Sequence, residues 1–329
     1  MTRLNRRQVT LSLVSGLTFA GVAGAARAAH PRIVVLGGGP AGATAALALK
    51  GSDPRADVVL VERDPTRLGR ASQPLGPFQR PGSGLDLDTL TRAGVSVVLD
   101  EIVDIDWSAA RLEAFSGRRL AYDRLVLAPG TAPLPEDIPG LDARARHMWP
   151  AAWGNAREAR RLATQLATFP ENGQLVLRLP EHVSHPAVAV DRISALARLV
   201  GQKGPDARMT VLDASATPTL HDAARVQLGG AAFQRHVTWH QSGMGGQVLS
   251  VDAAKGLIDT DAGQVRADLV NFVVPHGAGP IARQVGLTDT SGWCPVHADG
   301  RSVYRDQVTI LGDARRNAVR TVNGAIVGL

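Results

Sequence analysis

One stretch constrains this chain more than any other. Ile33 to Lys50 reads IVVLGGGPAGATAALALK, an apolar run, a glycine turn and a helix-forming segment. A short apolar run that feeds a helix is the pattern of a buried parallel strand in an α/β sheet. Gly37 permits the tight turn out of the strand, Gly39 lets the backbone approach a pyrophosphate, and Gly42 lets the helix sit close to the sheet. The first turn of such a helix presents unpaired N–H groups and the positive end of its dipole to that pyrophosphate. A second apolar run, Val58 to Val61, closes on Glu62, about 20 residues past the last glycine, where a carboxylate can accept from ribose hydroxyls. Together these features predict a dinucleotide site; the alternative is a glycine turn that serves packing alone.

At 329 residues the chain has room for about two domains. The formal charge of +6 raises the question of a nucleic-acid partner, but four of the 36 basic residues (Arg3, Arg6, Arg7 and Arg27) lie in the first 28 positions, which hold no acid. The other 32 face 30 acidic residues, a balance that leaves no electrostatic footprint for DNA or RNA. With 4% aromatic residues, stacking platforms for single strands are not expected either.

Residues 1–28 have the form of an export signal. Arg6-Arg7 precede Val9 to Ala26, a mildly apolar stretch, and Ala26-Arg27-Ala28 supplies an A-x-A cleavage site. Paired arginines before a weakly hydrophobic segment resemble a twin-arginine signal, which places the mature protein in the periplasm. The alternative is an uncleaved anchor, the one route by which this sequence would meet a membrane.

Downstream, Asp64 to Gly84 is rich in Pro, Gly and Arg and reads as a loop. Leu85 to Ala93 reads as a helix, and Val95 to Leu99 and Arg119 to Pro129 as strands. The Pro-punctuated Thr131 to Leu141 marks a domain boundary. Ala151 to Ala167 has helical periodicity. Gln174–Leu179, Ala187–Val200 and Arg208–Asp213 then make a second βαβ unit. Its turn, Leu179-Pro180-Glu181-His182-Val183-Ser184, contains no glycine, so a second dinucleotide is not expected there. Strands separated by Gly-rich turns fill Thr238 to Val274. A last strand, Val308 to Leu311, ends in Gly312-Asp313, and the chain closes at Leu329 in a stretch that reads as helix.

The glycine fingerprint, Ala128-Pro129-Gly130 followed by Ile138-Pro139-Gly140, and a strand ending in Gly312-Asp313 resemble the flavoproteins of the disulfide reductase type. Within that group the sequence is similar to the flavoprotein subunit of flavocytochrome c sulfide dehydrogenase. The likeness rests on Trp239-His240, Ala267-Asp268-Leu269-Val270-Asn271, Gly286-Leu287-Thr288, Gly292-Trp293-Cys294-Pro295-Val296 and the paired arginines, and it runs from Arg6 to about Asn323. The resemblance implies an α/β fold with two Rossmann-like domains. A discontinuous FAD-binding domain would span 30–140 and 255–329, and a second domain 145–254. The family's C-terminal interface portion, which covers the flavin and faces the cytochrome, is not expected in this sequence.

The resemblance further implies FAD rather than NAD as cofactor. Gly37, Gly39, Pro40, Ala41 and Gly42 would hold the pyrophosphate and Glu62 the adenosine ribose. Val103 would offer backbone atoms to the adenine, and Ala128-Pro129-Gly130 would pass beside the FAD. Gly312 and Asp313 would meet the flavin side, with Asp313 accepting from the ribityl chain; a helix N-cap aspartate is the alternative for Asp313. Electrons would pass from a small-molecule reductant through FAD to a c-type cytochrome. The alternative is a catalytically degenerate relative that binds the cofactor and serves as a binding or assembly partner.

Departures from the family pattern bear on the chemistry. The family oxidises sulfide at a cysteine pair beside the flavin, and a further cysteine tethers the flavin in the flavocytochrome. The corresponding stretches, Thr66 to Gly82 and Leu179 to Arg192, contain none. The sole cysteine, Cys294, precedes an apolar strand start and reads as a buried thiol. No catalytic residue and no metal site are assigned. His182 and His185, at the place of the first redox cysteine, lack a third ligand. The strand-like Val237-Thr238-Trp239 keeps His236 and His240 from sharing a helix face. His221-Asp222 and Arg315-Arg316 read as solvated faces.

Overall fold

The computed structural model describes residues 30–68, 85–153 and 156–320. The expected export signal at 1–28, loop residues 69–84 and the chain's end after 320 lie outside the described residues. The described residues divide into two compact units: one formed by residues 30–68, 85–132 and 277–319, the other by 133–153 and 156–276.

In the first unit, β1 (Arg32–Leu36) buries Ile33, Val34, Val35 and Leu36 and runs into α1 (Pro40–Ser52). Pro40 sits in the first helical turn, where its missing N–H costs nothing, and the alanine-rich body suits a helix. The helix stops at Asp53, which precedes Pro54. The next elements are β2 (Asp57–Glu62), α2 (Leu87–Arg92), β3 (Ser96–Leu99), β4 (Ile102–Asp106), β5 (Arg111–Ala114), β6 (Arg119–Ala121) and β7 (Arg124–Leu127). After a passage through the second unit the chain returns with α8 (Pro280–Gln284) and β17 (Val308–Ile310). Strands β17, β7, β1, β2 and β3 form one parallel sheet in that order. Strands β4 to β6 form a separate antiparallel sheet, in which Leu112 and Ala114 turn inward while Arg111 and Glu113 face water. The strand expected over 119–129 is therefore two. Between them the Tyr122 N–H donates to the Ala110 carbonyl and the Asp123 carboxylate accepts from the Arg32 N–H at 2.7 Å, so the chain changes sheets there.

The second unit contains α3 (Ala143–Met148), α4 (Ala156–Ala167), β9 (Gln174–Leu179), α5 (Pro186–Lys203), β10 (Arg208–Asp213), α6 (Thr219–Leu228), α7 (Gly230–His236), β11 (Val237–Gln241), β12 (Val248–Asp252), β13 (Leu257–Thr260), β14 (Gly263–Arg266) and β15 (Leu269–Phe272). Two three-residue strands, β8 (Thr131–Pro133) and β16 (His276–Ala278), mark the points where the chain passes between units. Strands β11, β10, β9 and β15 are parallel in that order, and β12 to β14 form an antiparallel sheet. The core under α5 collects Leu175, Leu177, Leu179, Val188, Ile193, Leu196 and Val211.

Two further expectations are corrected. The first unit resumes at Gly277, not at 255, because β13 and β14 pair with β12 and β15 pairs with β9. The helix expected from Ala151 begins only at Ala156; Ala152 has φ 50°, outside the helical region. Among the described residues no helix is long and apolar enough to cross a membrane.

Candidate functional site

In the first unit β2 and β3 lie to one side of β1 while β7 and β17 lie on the other, so the strand order reverses between β1 and β7. Parallel sheets leave a crevice at such a reversal, outside the C-terminal strand ends. The sequence places its glycine fingerprint there. Gly37 leaves β1 with φ 108°, and a side chain on it would meet the Ala128 carbonyl oxygen at 2.2 Å. Gly42 lies against the same turn: a Cβ there would sit 1.8 Å from the Gly37 carbonyl oxygen. These two glycines bring the start of α1 down onto the sheet.

Gly39 is different. A Cβ built on it meets none of the described residues within 4 Å, so among them the backbone faces open space at the mouth of the helix. By helix geometry the N–H groups of Ala41 and Gly42, in the first turn, have no acceptor within the helix. Glu62, 7% exposed at the end of β2, accepts from the Gly38 N–H at 2.5 Å and the Asp64 N–H at 2.8 Å. Each carboxylate oxygen keeps a further lone pair for a hydroxyl donor. Open space over a glycine, unpaired amides and a fixed acceptor fit the diphosphate and ribose of a dinucleotide.

The other expected residues gather at the same edge. The Ala128 N–H donates to the Leu36 carbonyl and the Leu311 N–H to the Leu127 carbonyl, so Ala128-Pro129-Gly130 lies between the ends of β1 and β17. Pro129 and Gly130 are further fixed by the Gly279 N–H, which donates to the Gly130 carbonyl at 2.9 Å. Gly312 packs close to the Ala41 methyl; a Cβ on it would lie 2.9 Å away. Asp313 is half-buried in a 3-10 turn, Gly312–Ala314, whose N-cap position is Leu311. Val103 lies three residues past Asp100, whose N–H donates to the Glu62 carbonyl, and it falls at an irregularity that takes it out of the β4–β5 register. Its carbonyl already accepts from Gln284 Nε2 at 2.6 Å.

Cys294 is fully buried, its N–H donating to the Ala314 carbonyl and its carbonyl accepting from the Arg316 N–H. Burial, with the Asp289 carboxylate adding to it, pushes the thiol up to about 12. A thiol-exchange reagent at pH 8 should therefore leave the native protein unlabelled and titrate one thiol only after denaturation. Rapid labelling of the folded protein would contradict this burial.

The second unit's parallel sheet also reverses, between β9 and β15. His182 is exposed while His185 is buried, so the two do not share an environment. His185 instead joins Trp153, Arg192, Asn271 and His276 in a buried group that sequence reasoning missed. A signal was present: Arg192 falls among the apolar positions of α5 and Asn271 inside an apolar strand.

The fold is an α/β arrangement of parallel sheets, and two stretches of its sequence match known families. The sequence pattern of the pyridine nucleotide-disulphide oxidoreductases matches residues 31–168. That of the central region of the sulfide dehydrogenase (flavocytochrome c) flavoprotein chain matches residues 159–275. Each of these matches covers less than half of the chain: residues 31–168 are similar to the first family and residues 159–275 to the second.

Solved structures share the fold. Reduced CoADR-RHD of Bacillus anthracis aligns with TM-score 0.62 at 18% identity, over 88% of this chain and 52% of its own. The sulfide:quinone oxidoreductase of Aquifex aeolicus aligns with TM-score 0.62 at 16% identity, over 87% and 68%. A covalent putidaredoxin reductase–putidaredoxin complex aligns with TM-score 0.63 at 17% identity, over 91% and 73%. The chain spans about half the length of the first of these relatives.

Proposed function

We propose that this chain binds FAD at the first unit's crevice and works as an exported, periplasmic oxidoreductase, taking electrons from a small reductant and yielding them to a c-type cytochrome. The observation that carries the reading is the open face of Gly39 beside the unpaired amides of α1 and the carboxylate of Glu62. Gly37, Gly39, Pro40, Ala41 and Gly42 would hold the diphosphate, Glu62 the ribose and Val103 the adenine. Ala128, Pro129, Gly130, Gly312 and Asp313 would line the rest. The flavin, when bound, supplies both two-electron and one-electron chemistry; the chain supplies binding and orientation. The paired arginines at 6 and 7 support twin-arginine export. The glycine-free turn after β9 argues against NAD(P)H as donor.

A second reading has its own support. The chain's single cysteine is buried and high in pKa, so the family's disulfide chemistry has no place to occur. On this reading the protein keeps the cofactor but serves as a binding or assembly partner.

The purified protein distinguishes the two. A yellow preparation, absorbing near ~450 nm, whose colour is bleached anaerobically by sulfide supports the first. Retained flavin that resists sulfide, thiols and NADH supports the second. A colourless protein that cannot be reconstituted with FAD sinks both.

A further inference from the structure

The crevice at the second unit's strand reversal is filled by the chain itself. Trp153 is bracketed by the ends of both strands. Its Nε1–H donates to Ser184 Oγ in the turn after β9 at 3.3 Å, and its ring meets His185 edge-on (6.4 Å between centroids) and His276, past β15, at 6.3 Å. Arg192 of α5 lies 4.7 Å over the indole. The preceding residues are latched. Asn271 Nδ2 donates to the Pro150 and Ala151 carbonyls, and Arg192 donates to the Ala151 and Ala152 carbonyls and to Asn271 Oδ1. The Ala152 N–H donates to Glu158 Oε2 at 2.8 Å. Ala152 itself sits at φ 50°, a region L-residues seldom adopt, so the latch holds a strained segment.

We propose that Pro150–Trp153 is a built-in plug of the second unit's ligand crevice, and that protonation of His276 releases it. His276 is 5% exposed and its Nδ1–H donates to the Val274 carbonyl at 2.8 Å, which leaves Nε2 to take up a proton. The groups that act on it are the His185 imidazole at the N-cap of α5 and the Arg192 guanidinium of α5, with the Val274 and Trp153 backbone; Arg192 in turn meets Glu158 of α4 and the neutral Asn271 of β15. Glu158, the one carboxylate among them, is bonded to the Ala152 N–H. An imidazolium at 276 would therefore confront a buried guanidinium, with no carboxylate acting on it among the described residues.

Burial, aided by His185 and Arg192 against the pull of nearby carbonyls, lowers the His276 pKa to about 4. Above the free-histidine value of about 6.5 neither form is charged and the plug bears no penalty. Between there and pH 4 the open form takes a proton and the closed form does not, so the closed form's advantage falls tenfold per pH unit, about 300-fold in all. The inference is independent of the flavin reading, since its readout is confined to second-unit amides.

Hydrogen–deuterium exchange of the full chain, corrected for intrinsic rates, tests it at pH 7.5 and 4.5. Protection of the Ala151, Ala152 and Trp153 amides should drop about 100-fold at the lower pH while the strands β9 and β10 keep theirs, and His276→Gln should hold protection at both. Unchanged protection in the parent protein, or the same loss in His276→Gln, overturns the proposal. Should that variant not fold, Glu158→Ala replaces it: removing the carboxylate from the Ala152 N–H should shift opening to higher pH, and an unshifted profile overturns the plug.

Discussion

The Gly39→Phe protein should fold like its parent and emerge without flavin. Gly39 has φ −64° and ψ 178°, a conformation open to any residue, and a Cβ there touches none of the described residues. The substitution costs the protein little, on the order of 0.5 kcal/mol. Its ring, however, would fill the space that the α1 amides face, and flavin affinity should fall at least ~100-fold, about 3 kcal/mol. Gly42→Ala gives the contrast. Its methyl would collide with the Gly37 carbonyl, so the damage appears as lost stability, about 1–3 kcal/mol, before any lost binding. The flavin-to-protein absorbance ratio and a urea midpoint separate the two effects. A Gly39→Phe protein that keeps its full flavin complement would refute the proposed cradle.

Glu136→Ala should be the most destabilising single truncation of a charged residue in the second unit, by about 3–5 kcal/mol. Arg178 sits on the central strand β9, its side chain 4% exposed, and both its terminal nitrogens bind the Glu136 carboxylate. One of them also donates to the Val273 carbonyl at 2.9 Å, and the guanidinium lies 4.9 Å over the Phe272 ring. Removing the carboxylate leaves a buried cation whose remaining bonds are to neutral groups. Replacing both partners, Arg178→Met with Glu136→Leu, removes the charge together with its acceptor and should recover most of the loss. Urea unfolding followed by circular dichroism measures this. A single variant within about 1 kcal/mol of the parent would show that water reaches Arg178.

Much of the first unit was legible because its signals are local. Ile33 to Lys50 announces a strand, a turn and a helix within one stretch, and Glu62 follows at a fixed distance. The second unit's β9, α5 and β10 were equally plain from apolar runs of the right length. What could not be read depends on partners distant in sequence. Nothing near Tyr122 says that residues 119–121 and 124–127 join different sheets; the break is set by Ala110 and Arg32. The domain boundary was misplaced because β15 resembles any buried strand until its pairing with β9 is seen. The Trp153 group was hidden for the same reason: its members come from the 150–153 segment, α5, β15 and the residue beyond it. Helical periodicity around Ala151 was overridden there by bonds to Arg192, Asn271 and Glu158.

The outermost strand of the first sheet has a consequence for biosynthesis. Strand β17 joins β7 only when residue 308 is available, roughly 180 residues after its neighbour, and long closures of this kind are slow to form. The second unit's four parallel strands are complete by residue 272. On the ribosome the amino-terminal portion must therefore wait, with one flank of its sheet bare, for residues 308–310 to be translated. A nascent chain arrested just short of residue 308 would expose that flank to neighbouring polypeptides, and aggregation would set in there first.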